Sequence, residues 1–184
     1  MLFPSSRDIW SHGSGSQLRN LLASALSTLL LMEGKDRPVY ISSPWISNFV
    51  LFQNNYREFE ALFPDLADHL EIHFSDYLKR LAQKLPVRII TTKNDISEAF
   101  LTTFPQIGPP FMIQCRFAKE EYHEKGFLDP SFYIEGSMNF TYRGVYVSEE
   151  KITYHCGLGQ DGAKKILTAY MEFERRWNLL EKSE

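Results

Sequence analysis

His123 and Lys125 stand two residues apart, Ser137 and Asn139 stand two apart a short turn later, and Glu150 follows. On an extended segment, residues two apart project from the same side. Each pair can therefore offer two polar groups to one ligand. A phosphodiester is a monoanion and a poor electrophile. Its cleavage needs a nucleophile, donors for the non-bridging oxygens and an acid for the leaving alcohol. An imidazole titrating near neutrality can act as nucleophile or as acid. A lysine gives phosphate a point charge, and serine and asparagine add short neutral donors. A carboxylate on the second imidazole nitrogen would fix the tautomer and the ring orientation. His123, Lys125, Ser137, Asn139 and Glu150 thus supply every part except the acid for the leaving group.

These residues need a scaffold, and the apolar pattern around them describes one. Leu18, Leu21, Leu22, Ala25, Leu26 and Leu29 recur with helical spacing after Ser16, and Gly34 is placed to end that helix. Val39-Tyr40-Ile41 and Val87 to Thr91 read as buried strands, and Phe111 to Phe117 as a third. Residues 53–83 read as mostly helical with breaks at Pro64 and near Leu70, and Ile96 to Phe104 as a short helix. Segments 121–129 and 131–136 form a strand pair joined at Asp129-Pro130, and Lys151 to Cys156 is another strand. Ala163 to Leu180 closes the chain as a helix with Ile166, Leu167, Tyr170, Phe173, Trp177 and Leu180 on one stripe. Residues 1–14, rich in Pro, Ser and Gly, read as an irregular lead-in. The expectation is one domain over 1–184, a mixed α/β fold with a central sheet and helices on both faces.

The polar spacing resembles the HxK…GSxN signature of the phospholipase D superfamily. The run Gly136-Ser137-Met138-Asn139-Phe140-Thr141-Tyr142-Arg143-Gly144 is similar to the family's GSxN and its aromatic-Thr-x-x-Gly continuation, and Glu150 stands at the family's acidic position. Val39 to Ser47 and Pro86 to Ile90 look like the first two strands of these domains. Two departures stand out. Three residues rather than four separate Lys125 from Asp129, and Ser148 stands where the family often has Asn. The resemblance implies that His123 attacks phosphorus to form a phosphohistidine, with Asp129 as a further member of the catalytic set. It also implies a homodimer, because this chain has one motif and the second histidine must come from another copy. No metal or other cofactor is called for.

Other features have plainer explanations. Ser42, Ser43 and Trp45 close an expected central strand, where α/β folds place ligands. Ser43, Trp45 and Arg143 are candidates for binding substrate, Trp45 by stacking on a base and Arg143 by contacting a phosphate. Asp129 beside Pro130 also suits an ordinary turn. Gly157-Leu-Gly159-Gln-Asp-Gly162 mimics a dinucleotide fingerprint, but no later strand remains to hold the ribose. His69-Leu-Glu71-Ile-His73 lacks the order of a zinc protease helix and reads as polar residues opposite Leu70 and Ile72.

The 184 residues are 43% hydrophobic and 23% charged, enough for a core without disulfides, and the net charge is −3. That charge argues against a protein that coats nucleic acid, though not against a basic groove. The two cysteines form no framework and suit a reducing, cytoplasmic setting. The apolar run Leu21 to Met32 is too short and too interrupted to span a bilayer, and is expected to be an internal helix. The expectation is a metal-independent phosphodiesterase, a DNA nuclease, with partner proteins of a modification, restriction or phage-defence system as a guess by resemblance. The rivals are a nucleic-acid-binding or scaffold subunit with little turnover and, ranked last, a phospholipase, for which no amphipathic anchor is visible.

Overall fold

The computed structural model describes residues 5–11, 16–32, 37–104 and 112–182. Its centre is the run Val-Tyr-Ile-Ser, which forms β2 (Val39–Ser42) with all four residues buried. A strand covered on both faces has no need of a polar side, so its apolar run is continuous. It pairs in parallel with β5 (Val87–Thr92), which pairs in parallel with β6 (Ile113–Ala118). On its other side β2 pairs antiparallel with β7 (Gly126–Asp129), followed by β8 (Phe132–Gly136), β9 (Lys151–Cys156) and β1 (Ser6–Trp10). The two-residue β10 (Glu181–Lys182) lies along β6. The order is β1-β9-β8-β7-β2-β5-β6-β10. The strands β3 (Val50–Gln53) and β4 (Glu71–His73) make a separate antiparallel pair.

Strand alternation divides the core in two. Val39, Ile41, Val87, Ile89, Phe127 and Ile134 face one side, together with Leu22, Leu26 and Leu29 of α1 (Ser16–Leu31) and Tyr77 and Leu78 of α2 (Phe74–Leu81). Phe100 of α3 (Asp95–Leu101) joins that layer. Tyr40, Ile90, Leu128 and Tyr133 face the other side and meet Ile166, Ala169, Tyr170, Phe173 and Trp177 of α5 (Gln160–Leu179). Each such fully buried large side chain contributes roughly 1.5–3 kcal/mol over leaving it exposed. On the α5 side, Arg88 donates to the Tyr40 hydroxyl at 2.6 Å, and Arg116 lies over the Trp177 ring at 4.5 Å. The mixed α/β fold with helices on both faces agrees with the sequence expectation.

The differences have local causes. The lead-in is not irregular over Ser6–Trp10, which pairs residue for residue with β9 as an edge strand. Residues 53–70 are not a helix. Two short 3₁₀ turns, Asn55–Arg57 and Pro64–Leu66, replace it. The buried Asn54 amide donates to the carbonyls of Ala67 at 3.2 Å and His69 at 2.9 Å, while its oxygen accepts from Phe59 N at 2.9 Å. That side chain ties the loop closed against the helical alternative. On α5 the buried stripe takes Ala169, whereas Leu167 is exposed, one residue being about 100° off a helical face. Gly34 and Phe111 lie outside the described residues. No described helix is long and apolar enough to cross a membrane. Cys115 is buried, which pushes its thiol up to about 12.

Candidate active site

The parallel strands β2, β5 and β6 end together at Ser42, Thr92 and Ala118, and the candidate residues collect at that end. The chain enters β7 from the same end, with Gly126 opposite Ser42. His123 and Lys125 therefore sit just before the strand begins. Tyr122 and Glu124 turn the other way and fix the segment. The Tyr122 hydroxyl shares a hydrogen bond of 2.5 Å with Ser42 Oγ, which donates to the Glu124 carbonyl at 3.0 Å. The Glu124 carboxylate pairs with Arg176 of α5. The alternation leaves His123 exposed and Lys125 half-buried on the opposite side. Lys125 Nζ donates to the His123 carbonyl at 2.7 Å. Burial pushes the Lys125 ammonium down from the usual lysine value, and the Glu150 carboxylate draws it partly back.

Ser137 and Glu150 are joined directly. Gly136 allows this. Its φ is +154°, and a β-carbon there would lie 2.2 Å from the Lys151 carbonyl oxygen. Only glycine lets β8 run this close to β9 and hand the chain to Ser137. Ser137 N donates to the Lys151 carbonyl at 2.9 Å, Lys151 N donates to Ser137 Oγ at 3.0 Å, and Ser137 Oγ donates to the Glu150 carboxylate. Glu150 therefore engages Ser137 and not the His123 ring, and among the described residues no hydrogen bond links it to that imidazole.

Asn139 faces the end of β2. Its Oδ1 lies 3.3 Å from Ser43 Oγ, which accepts from Phe140 N at 3.0 Å. The helix α4 (Tyr142–Tyr146) follows at once, capped by Thr141 Oγ1, which accepts from Gly144 N at 3.1 Å. Gly144 packs against the Asn139 carbonyl, where a β-carbon would come within 2.2 Å. The glycine of the aromatic-Thr-x-x-Gly run is thus a steric requirement of the turn that presents Asn139. Asn139 and Glu150 line a groove of about 520 Å³ with Trp45, Ile96, Tyr142 and Arg143.

Asp129 is not brought to this cluster. It lies three residues along β7 from Gly126, about 10 Å at the usual strand rise. It is fully buried in the β7–β8 turn, where its Oδ1 accepts from Ser131 N at 2.8 Å and from Ser131 Oγ. Asp129 thus sits in the turn that closes the hairpin, the placement that its position beside Pro130 also suited. In the Gly157–Gly162 run, Gly162 packs against the Cys156 carbonyl at the entry to α5. Glu71 is exposed, and His73 N donates to Asp76 Oδ2 at 3.2 Å at the start of α2.

Sequence reasoning missed two supports. Ser11, in the supposed lead-in, is buried and holds the Glu150 strand. Its Oγ donates to the Ser148 carbonyl at 3.1 Å and accepts from Glu150 N at 2.6 Å. Arg176 anchors the residue between His123 and Lys125 from α5. Strand alternation across Tyr122 to Lys125 could have shown that Tyr122 and Glu124 face elsewhere, but the long-range partners had no local signal.

No family model matches the chain, and no curated protein matches it by sequence. Solved structures do. A phospholipase D family member, Nuc from Salmonella typhimurium, superposes with a TM-score of 0.58 at 15% identity, over 99% of both chains. NucT from Helicobacter pylori gives 0.55 at 12% identity, over 97% of this chain and 99% of its own. Phosphatidylserine synthase from Haemophilus influenzae gives 0.54 at 12% identity, over all of this chain and 41% of its own. With likeness across nearly the full length of the first two, the chain has the phospholipase D superfamily fold.

Proposed function

We propose that this protein is a metal-independent phosphodiesterase acting on nucleic acid, a DNA nuclease that works through a phosphohistidine. The observation that supports it most is the gathering of Lys125, Ser137, Asn139 and Glu150 beside an exposed His123 at one end of the sheet. The His123 imidazole attacks phosphorus and the bond to the leaving oxygen breaks. A proton passes to that oxygen from a second imidazole, and water then releases the phosphoryl group from nitrogen. Lys125 sets its charge on a non-bridging oxygen, with Ser137 and Asn139 as neutral donors. The second imidazole comes from His123 of another copy, which makes the working unit a twofold homodimer. The likeness to Nuc and NucT supports the same reading through the fold. A role beside partner proteins of a modification, restriction or phage-defence system remains a proposal from family resemblance alone.

The test is cleavage of a DNA strand and of a bis-aryl phosphodiester in excess chelator. Activity should persist there, and His123→Ala or Lys125→Ala should lower it by at least roughly a hundredfold. Brief reaction followed by denaturation should leave phosphate on histidine. DNA binding without a trapped adduct would instead make the protein a binding subunit.

A further inference from the structure

The groove beside the candidate site is walled by aromatic and apolar groups that a folded chain ordinarily covers. Trp45 is 45% exposed, Tyr142 57% and Ile96 52%. The segments that carry Trp45 and Tyr142 are tied down. The Pro44 carbonyl accepts hydrogen bonds from Thr91 Oγ1 at 3.1 Å, Thr92 Oγ1 at 2.7 Å and Asn94 Nδ2 at 3.1 Å, while Ser43 Oγ donates to the Trp45 carbonyl at 2.5 Å. A buried polar clamp thus fixes the turn that displays Trp45. Elsewhere on the groove wall Tyr142 N donates to Ser47 Oγ at 3.2 Å, and the Tyr142 ring stacks on Tyr146 at 5.1 Å between centroids and 13° between planes. Arg143 follows on the same wall and supplies the positive charge, and Asn139 and Glu150 connect the groove to the phosphate chemistry.

From this we propose that the groove seats one unpaired nucleobase against Trp45 and Tyr142, with Arg143 on a neighbouring phosphate, so that the site takes single-stranded nucleic acid in preference to duplex. The inference rests on the nucleic-acid part of the function proposed above. A cavity of about 520 Å³ is of a size for a single nucleotide. In a duplex each base face is covered by its neighbours and must be flipped out before a protein ring can reach it. An unpaired base offers a free π-face, and stacking on an aromatic ring is tolerant of sequence. The modest net charge of −3 fits this mode, in which stacking supplements a few phosphate contacts rather than a basic coat.

The decisive measurement is anisotropy with a fluorescein-labelled thymidine strand, the same strand made abasic throughout, and its duplex form. The full chain is used in a His123→Ala background, so that binding is read whether or not the protein cleaves. The thymidine strand should bind about tenfold tighter than either alternative. Trp45→Ala and Tyr142→Ala should each remove that advantage while leaving the abasic strand unaffected, with melting curves confirming that both variants fold. Equal binding of the three ligands, or loss of no advantage in either variant, overturns the inference. So does conversion of a dimer to a monomer by Trp45→Ala in sedimentation, which would mean that a second copy covers this wall. Base-dependent binding without a phosphohistidine supports the groove and refutes the nuclease. Chelator-resistant cleavage with no preference for bases does the reverse.

Discussion

Lys125 and Glu150 show how two side chains set each other's chemistry. Lys125 is a cation partly removed from water, and the carboxylate nearby offsets some of that cost. If its charge carries phosphate, activity must fall as pH rises through its lowered value, earlier than for an ordinary lysine. Removing the negative charge with Glu150→Gln should lower that value further and move the alkaline limb of kcat/KM to lower pH. Lys125→Arg should abolish the limb, because a guanidinium keeps its proton, although the rate itself should drop. A pH–rate profile for each variant checks both directions. An alkaline limb unmoved in Glu150→Gln would show that Lys125 does not titrate under that carboxylate.

The strand pair β7–β8 separates two jobs that the linear motif places side by side. Its upper end delivers Lys125 and Ser137, and its lower end is closed by Asp129. A carboxylate buried in a turn is structural when its acceptor capacity serves backbone N–H groups. We expect Asp129→Ala to destabilise the fold by about 1–3 kcal/mol, the usual cost of losing a buried acceptor. The specific activity of the molecules that remain folded should stay within about threefold of wild type. Thermal melts with activity per folded fraction test this, and a fully folded but inactive variant would return Asp129 to the chemistry. The interval from Asp129 to Gly136 spans the hairpin and is set by the register of β7 on β8. The shortened Lys125–Asp129 interval falls before and within β7, so its effect is on where His123 and Lys125 sit relative to Gly126.

One chain carries one candidate nucleophile, and the proposed mechanism needs a second imidazole. At the scale of the whole molecule, this makes concentration a variable. Sedimentation equilibrium should give twice the chain mass under assay conditions, and specific activity should fall on dilution through the dimer dissociation range. Mixing wild type with His123→Ala should give mixed dimers of low activity, so that loss exceeds simple dilution. A stable, fully active monomer would refute the shared site.

The continuous apolar runs at Val39 and Val87 were readable from the chain because a strand covered on both faces needs no polar side, and the stripe through Ile166, Tyr170, Phe173 and Trp177 because it records which side of a helix meets apolar neighbours. The polar spacing His123–Lys125 and Ser137–Asn139 was readable as alternation along extended backbone. Whether Glu150 would meet Ser137 or an imidazole, and whether Asp129 would reach the cluster, depended on strand register. Register is a pairing between distant segments, and local spacing does not encode it. The same holds for Ser11 and Arg176, whose work lies with residues more than fifty positions away. Composition and periodicity chose the layers, and the closing of β1 on β9 and α5 on the sheet decided which polar groups came together.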